Sequence, residues 1–215
     1  PVWDPRSTGR WDISDDFAVK GGVGKFSQAP EERYIDEDFG NPDLGEQWAL
    51  HYSGGIEWRV SEFIELDLVG FYVSWYDLVV TTDEVEVTAQ GTSPFRALND
   101  GFGRSYGAEI ILRHNPSKRF FGWISYTLSR SELAGFNQVR GADNSSPDAE
   151  MNELVVSPFD QTHILNAVGS IKLGRGWETG ARLRLVSGNP ATPIERGVFV
   201  GASGAYLADT APVNS

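Results

Sequence analysis

The sequence predicts an all-β chain: an antiparallel segment of a transmembrane β-barrel, with about eight strands in roughly four hairpins. Three observations predict it. Apolar and polar residues alternate with period two over long stretches. Short connections alternate with long ones. Glycine supplies 24 residues and aromatics 12% of the 215, which suits extended strands joined by tight turns.

The strands follow in order. Residues 2–12 give the weakest pattern. In 16–27, Phe17, Val19, Gly21 and Val23 form one face, and Ala18, Lys20, Gly22, Gly24 and Phe26 the other. The clearest case is 47–60, where Trp48, Leu50, Tyr52, Ile56, Trp58 and Val60 oppose Gln47, His51, Ser53, Glu57 and Arg59. Residues 63–77 begin with Ile64, Leu66 and Leu68 against Glu65 and Asp67, then become apolar on both faces. In 103–113, Tyr106, Ala108, Ile110 and Leu112 oppose Ser105, Gly107, Glu109 and Arg113, with Ile111 the exception on the polar face. Residues 120–130 set Phe120, Ile124, Tyr126 and Leu128 against Ser125, Thr127 and Ser129; 161–173 are mixed. In 176–187, Trp177, Ala181, Leu183 and Leu185 oppose Glu178, Arg182 and Arg184. The best of these runs exceed a soluble strand of about five or six residues and suffice for the roughly nine to eleven tilted residues that cross a bilayer.

Short turns are expected at 14–16, 61–62, 115–118 and 174–176, and long polar connections near 28–46, 79–100, 132–160 and 188–215. Outer-membrane barrels keep short turns on the periplasmic side and long loops outside. Aromatics cluster beside the short turns (Trp58, Phe63, Phe120, Phe121, Trp123, Trp177) and towards the long loops (Trp48, Trp75, Tyr76, Tyr126), as two interfacial belts would require.

Composition excludes several classes. A formal net charge of -12 argues against nucleic acid as a partner, because phosphate neutralisation needs clustered cations. No cysteine is present, so disulfides, thiolate metal sites and cysteine nucleophiles are out. No apolar run is long enough for a transmembrane helix. Met151 is the only methionine, so the chain reads as processed or as a piece of a longer protein.

Residues 20–25, KGGVGK, have the letters of a phosphate-binding loop. Such a loop needs a buried strand before it, a helix after it and a hydroxyl after the lysine. Here the preceding WDISDDFAV is polar, Phe26 takes the hydroxyl position and Pro30 follows closely. The strand reading is preferred, with Gly22 and Gly24 thinning an inner wall. His51, His114 and His163 lie far apart without carboxylates at ligand spacing, and no serine has a nucleophile-elbow context, so neither a metal centre, a cofactor nor a catalytic residue is expected.

Several stretches resemble the barrel of TonB-dependent outer-membrane receptors. GVGKFSQAP (22–30) is similar to a strand end entering an external loop, and GNPDLGEQWALHYSGGIEW (40–58) to the stretch opening the next strand, with Gly45 where the family has proline. FYVSWYDLVV (71–80), NDGFGRSYGAEIILRHNPSKRFFGWISYTLSRSE (99–132) and FDQTHILNAVGSIKLGRGWETGARLRLVSGNPATPI (159–194) resemble later strands and hairpins. The resemblance implies that 1–215 form a single internal segment of a barrel of about 22 strands, with Ser215 inside an external loop.

It further implies energised uptake of a scarce ligand, such as a ferric siderophore, a vitamin or a glycan. The partners implied are outer-membrane lipid and lipopolysaccharide, a plug domain and the TonB complex, the last two outside this chain. Ligand contacts would come from external loops, where Arg33, Tyr34, Phe39, Phe95, Arg96, Phe136, Arg140, Arg196 and Phe199 are the candidates. Acidic loop residues such as Asp36, Asp43, Asp143 and Glu150 are expected to be solvated and to face lipopolysaccharide through divalent ions. A small passive barrel or porin is the nearest alternative, and a soluble β-sandwich binding module the next.

Overall fold

A computed structural model describes residues 2–36, 40–80, 85–88, 91–94, 97–134, 154–191, 194–200 and 205–210. Among the described residues thirteen strands occur in chain order. They are β1 (Arg6–Ser14), β2 (Phe17–Gln28), β3 (Gln47–Arg59), β4 (Ile64–Val80), β5 (Val85–Thr88), β6 (Gly91–Pro94), β7 (Leu98–His114), β8 (Phe120–Ala134), β9 (Val155–Val156), β10 (His163–Gly174), β11 (Trp177–Val186), β12 (Ile194–Val200) and β13 (Ala205–Thr210).

Eight of them form one continuous path, β1-β2-β3-β4-β7-β8-β10-β11, and β9 adds to β8. Every pairing is antiparallel. The path is the expected meander, with every expected strand in place to within a few residues. Two additional hairpins, β5–β6 and β12–β13, fall inside stretches expected to be loop. Among the described residues β1 and β11 are the open edges of the path.

The short connections sit where the turn chemistry puts them. Arg175 and Gly176 join β10 to β11 with φ of 53° and 84°. Positive φ at both central residues is the hairpin geometry that matches strand twist, and glycine takes it without a Cβ penalty. The β1–β2 turn is Asp15–Asp16, with a register shift between Asp12 and Ser14.

Register then decides which residues share a face. Val19, Ile56, Leu68, Ile110 and Tyr126 follow one another across β2, β3, β4, β7 and β8. Tyr52, Tyr72 and Tyr106 lie opposite one another in the same way. The apolar face is therefore continuous, and it is uncovered: Leu68 is 41% exposed, Ile124 50%, Leu128 46% and Leu185 54%. No large side chain is fully buried among the described residues, and the buried apolar ones are small: Ala18, Ala49, Val79, Val80, Ala97 and Ala134. A sandwich would bury such a face between two sheets. Here the long path lies in a single nine-stranded sheet, and among the described residues no second sheet covers its apolar face.

The aromatic belts divide between faces. Trp58, Phe63, Phe120 and Trp177 lie on the apolar face at the short-turn end, and Trp48, Tyr76 and Tyr126 towards the loop end. Trp48 and Tyr76 stack with centroids 4.2 Å apart. Trp75, Phe121 and Trp123 belong instead to the polar face, opposite Gly103, Ser170 and Arg113. The strand period of two assigns them there whatever their end of the strand.

Candidate functional site

The polar face carries an ionic cluster in its short-turn half. Lys20 projects from β2, opposite Gly55, which has no side chain to block it. Its Nζ donates to Glu57 Oε1 at 3.0 Å and to Asp67 Oδ2 at 2.8 Å. Arg10 on β1 donates to Asp12 Oδ1 at 3.0 Å and also to Glu57. Four neighbouring strands are thus tied by one network. Asp67 is 8% exposed and its Oδ1 lacks a partner among the described residues. A cavity of about 180 Å³ lies over this end, bounded in part by Arg10, Asp12, Glu57, Arg59, Asp67 and Arg113. Ammonium, guanidinium and carboxylate groups here satisfy one another through charge-assisted hydrogen bonds.

Gly22 and Gly24 share this face, opposite Ser53 and His51. Neither opens on empty space. A Cβ on Gly22 would meet Thr8 Cγ2 at 3.2 Å, and one on Gly24 would meet Arg6 Cγ and Phe26 Cε2, both at 3.1 Å. The Arg6 guanidinium lies 4.1 Å from the Phe26 ring centroid, and that ring lies 4.3 Å from His51. These glycines therefore seat neighbouring side chains of the wall itself.

At the long-loop end a polar clasp fastens the β2–β3 connection to β7. Asn99 Nδ2 donates to Asp77 O at 2.7 Å and Gly45 O at 3.3 Å, while its Oδ1 accepts from Gly45 N at 2.7 Å. Buried Asn41 donates to Ala97 O at 3.0 Å. Trp48 Nε1 donates to Asp77 Oδ2 at 2.6 Å, and Asp77 takes a left-handed φ of 55° at a register shift in β4. Asparagine suits this role because one amide both donates to and accepts from a peptide group. Before β1, the Ser27 hydroxyl donates to Asp4 at 2.8 Å and holds that carboxyl below its ordinary range.

The expected ligand-facing residues are only partly within view. Arg33 and Tyr34 lie in a single 3-10 turn, Glu32–Tyr34. Arg33 pairs locally with Glu31 at 2.8 Å and lies over the Tyr34 ring at 4.6 Å. Arg196 and Phe199 lie in β12, opposite Asp209 and Tyr206 of β13. Phe39, Phe95, Arg96, Phe136 and Arg140 are outside the described residues. The ionic cluster and the clasp were not anticipated. Lone charges among alternating residues hinted at the first. The second uses the GNP and ND stretches, whose meeting depends on register.

No family model matches the chain, and no curated protein matches it by sequence. Solved structures do match. The chain is similar to the FrpB iron transporter from Neisseria meningitidis (F3-3 variant) at TM-score 0.60 and 12% identity, over 96% of this chain and 30% of that one. It is also similar to the siderophore receptor PirA from Acinetobacter baumannii at TM-score 0.61 and 17% identity, over 98% of this chain and 33% of that one. The chain thus spans about a third of each. The fold that the resemblance to TonB-dependent receptors led one to expect is the fold found: an antiparallel sheet similar to part of the FrpB iron transporter and part of the PirA siderophore receptor.

Proposed function

We propose that this chain is one segment, residues 1–215, of an outer-membrane transport barrel that takes up a scarce ligand with energy supplied through TonB. The apolar face meets lipid and lipopolysaccharide, and the polar face lines the interior beside a plug. The observation that carries the proposal is the pairing of two facts. One unbroken antiparallel path has an apolar face left exposed. Its short and long connections alternate strictly, which puts all long loops at one end.

In this reading the short turns are periplasmic and the loops external. Arg33, Tyr34, Phe39, Phe95, Arg96, Phe136, Arg140, Arg196 and Phe199 are the proposed capture residues. Gly22 and Gly24 are lumenal, and the protein performs no covalent chemistry. The ligand class favoured among siderophore, vitamin and glycan is a ferric siderophore, because both structural neighbours are described as iron or siderophore proteins.

Uptake of labelled ligands by cells lacking the gene tests this. Loss of energised ferric-siderophore uptake, with the same loss in wild-type cells given a protonophore, is expected. Solute entry indifferent to the protonophore would favour the passive porin instead.

A further inference from the structure

We propose that the short-turn rim of β7, β8, β10 and β11 holds an acidic phospholipid of the periplasmic leaflet, with its phosphate among Lys118, Arg119 and Lys172 and an acyl chain in an apolar groove above them. This rests on the membrane orientation proposed above. It adds a choice among headgroups, which ordinary lipid contact along an apolar face does not need.

Charge is divided along this rim. The chain has a formal net charge of -12, and the turns on one side of the path follow it, with Asp15 and Asp16 between β1 and β2 and Glu62 between β3 and β4. The turns on the other side reverse it. Lys118 and Arg119 lead into β8, Lys172 lies near the end of β10, and Arg175 is in the turn between β10 and β11. Lys172 N donates to Arg119 O at 2.8 Å, which places those two residues side by side. Two adjoining cavities, of about 350 and 510 Å³, share Arg119, Lys172 and Glu178 in their walls, and Lys118 bounds the larger. Glu178 is the one carboxylate bounding either cavity among the described residues, and it accepts from Ser170 Oγ at 2.6 Å. None of the four cations is in an ion pair among the described residues. This end is therefore net positive, and its ammonium and guanidinium groups can donate to phosphate oxygens.

An apolar groove of about 440 Å³ lies on the lipid-facing side of the same strands. Small residues make its floor: Gly122 pairs with Gly169, and Gly169 with Ala181. Leu112 and Leu183 bound it. Phe120 borders both this groove and the smaller cavity at the rim, so the two adjoin. Leu173 and Trp177 border the larger cavity and are 65% and 73% exposed. A tryptophan at this level favours the headgroup region. Basic pockets beside a lipid-facing surface select acidic headgroups. A free anion would use the cations and leave the groove empty. An acidic protein segment would leave Leu173 and Trp177 uncovered.

The test uses the protein with everything its gene encodes, extracted from outer membrane in mild detergent. It is titrated with phosphatidylglycerol and with phosphatidylcholine of the same acyl chains, and bound lipid is read by native mass spectrometry. Tighter binding of phosphatidylglycerol by about tenfold or more is expected. A Lys118→Gln/Arg119→Gln/Lys172→Gln variant should lose that preference. Ala181→Phe, which fills the groove, should weaken both lipids and keep the preference. Equal binding of the two lipids by wild type would overturn the proposal. So would a triple variant that keeps the preference, or an Ala181→Phe protein that binds both lipids as before. Displacement of phosphatidylglycerol by glycerol phosphate or by poly-glutamate at equal charge would assign the cations to a free anion or an acidic protein segment, and would overturn it too. Heat-dependent gel mobility is read in parallel on wild type and variants. If wild type shows none, the barrel reading itself has failed; if it does, only the lipid site is at stake.

Discussion

Lys20 on β2 and Asp67 on β4 meet across an intervening strand, with Nζ 2.8 Å from Oδ2. Glu57 of β3 accepts a second hydrogen bond from the same ammonium at 3.0 Å. Removing the cation leaves a nearly buried carboxylate beside a second one. Lys20→Met should lower stability by about 2 kcal/mol, less than for a fully buried pair because Lys20 retains some solvent. Lys20→Met/Asp67→Asn should recover part of that loss. The midpoint of heat- or urea-dependent gel mobility measures both, and an unchanged midpoint for Lys20→Met would refute the coupling.

Lys25 points to the apolar face opposite Leu50, with Nζ 5.3 Å from the Trp48 ring centroid. Its backbone N–H donates to Pro5 O at 3.0 Å within strand-like pairing. Strand β2 runs on through Lys25 to Gln28, and among the described residues no α-helix begins after it to hold a phosphate. Calorimetry should therefore detect no ATP binding in wild type or in Lys25→Ala. Measurable binding that vanishes in the variant would restore the phosphate-loop reading.

Asn99 supplies three hydrogen bonds that fasten the segment around Gly45 to β7. Asn99→Ala should free that connection while leaving the sheet intact. The expected outcome is at least about tenfold faster protease cleavage near residues 40–46, with folded-band mobility unchanged. Cleavage at the wild-type rate would show that the clasp does not restrain the loop.

Leu128 is 46% exposed on the apolar face, whereas Thr127 faces the polar side opposite Glu109 and Ile164. Leu128→Arg should destabilise the barrel by about 1 kcal/mol, because Leu128 lies one step beyond Tyr126 towards the loop end, near the edge of the apolar band. Thr127→Arg should cost much less. Folded, heat-modifiable protein recovered from outer membrane provides the readout. A greater loss for Thr127→Arg would reverse the assignment of faces.

Much of this architecture is readable as residue alternation, because a strand's period of two is local and survives in every hairpin. Strand β3 is the plain example. Strand β4 shows where reading stops. Its second half is apolar on both faces, and register supplies the reason: Phe71 lies opposite Gly107 and Trp75 opposite Gly103. A ring covering a glycine is a partnership between strands, and no single segment encodes it. The same holds for Lys20, Glu57 and Asp67, which look like three isolated polar positions until pairing joins them. The hairpins β5–β6 and β12–β13 are not legible because their strands run only four to seven residues, too short for alternation to stand out within polar stretches. Of the site, the wall was legible as a face. The contacts upon it depend on distant pairing.

Strands β4 and β7 each have 17 residues. At roughly 3.3 Å per residue and a tilt near 40°, each climbs about 43 Å, against an apolar band about 25 Å tall. Phe63 sits just before β4 begins and stacks on His114 at the end of β7, which leaves little surplus on the short-turn side. The surplus height therefore rises on the other side as a parapet. Under the proposed orientation, a solute is first met within the sugar layer above the bilayer, and the last stretch of its descent begins before it reaches the level of the lipid headgroups.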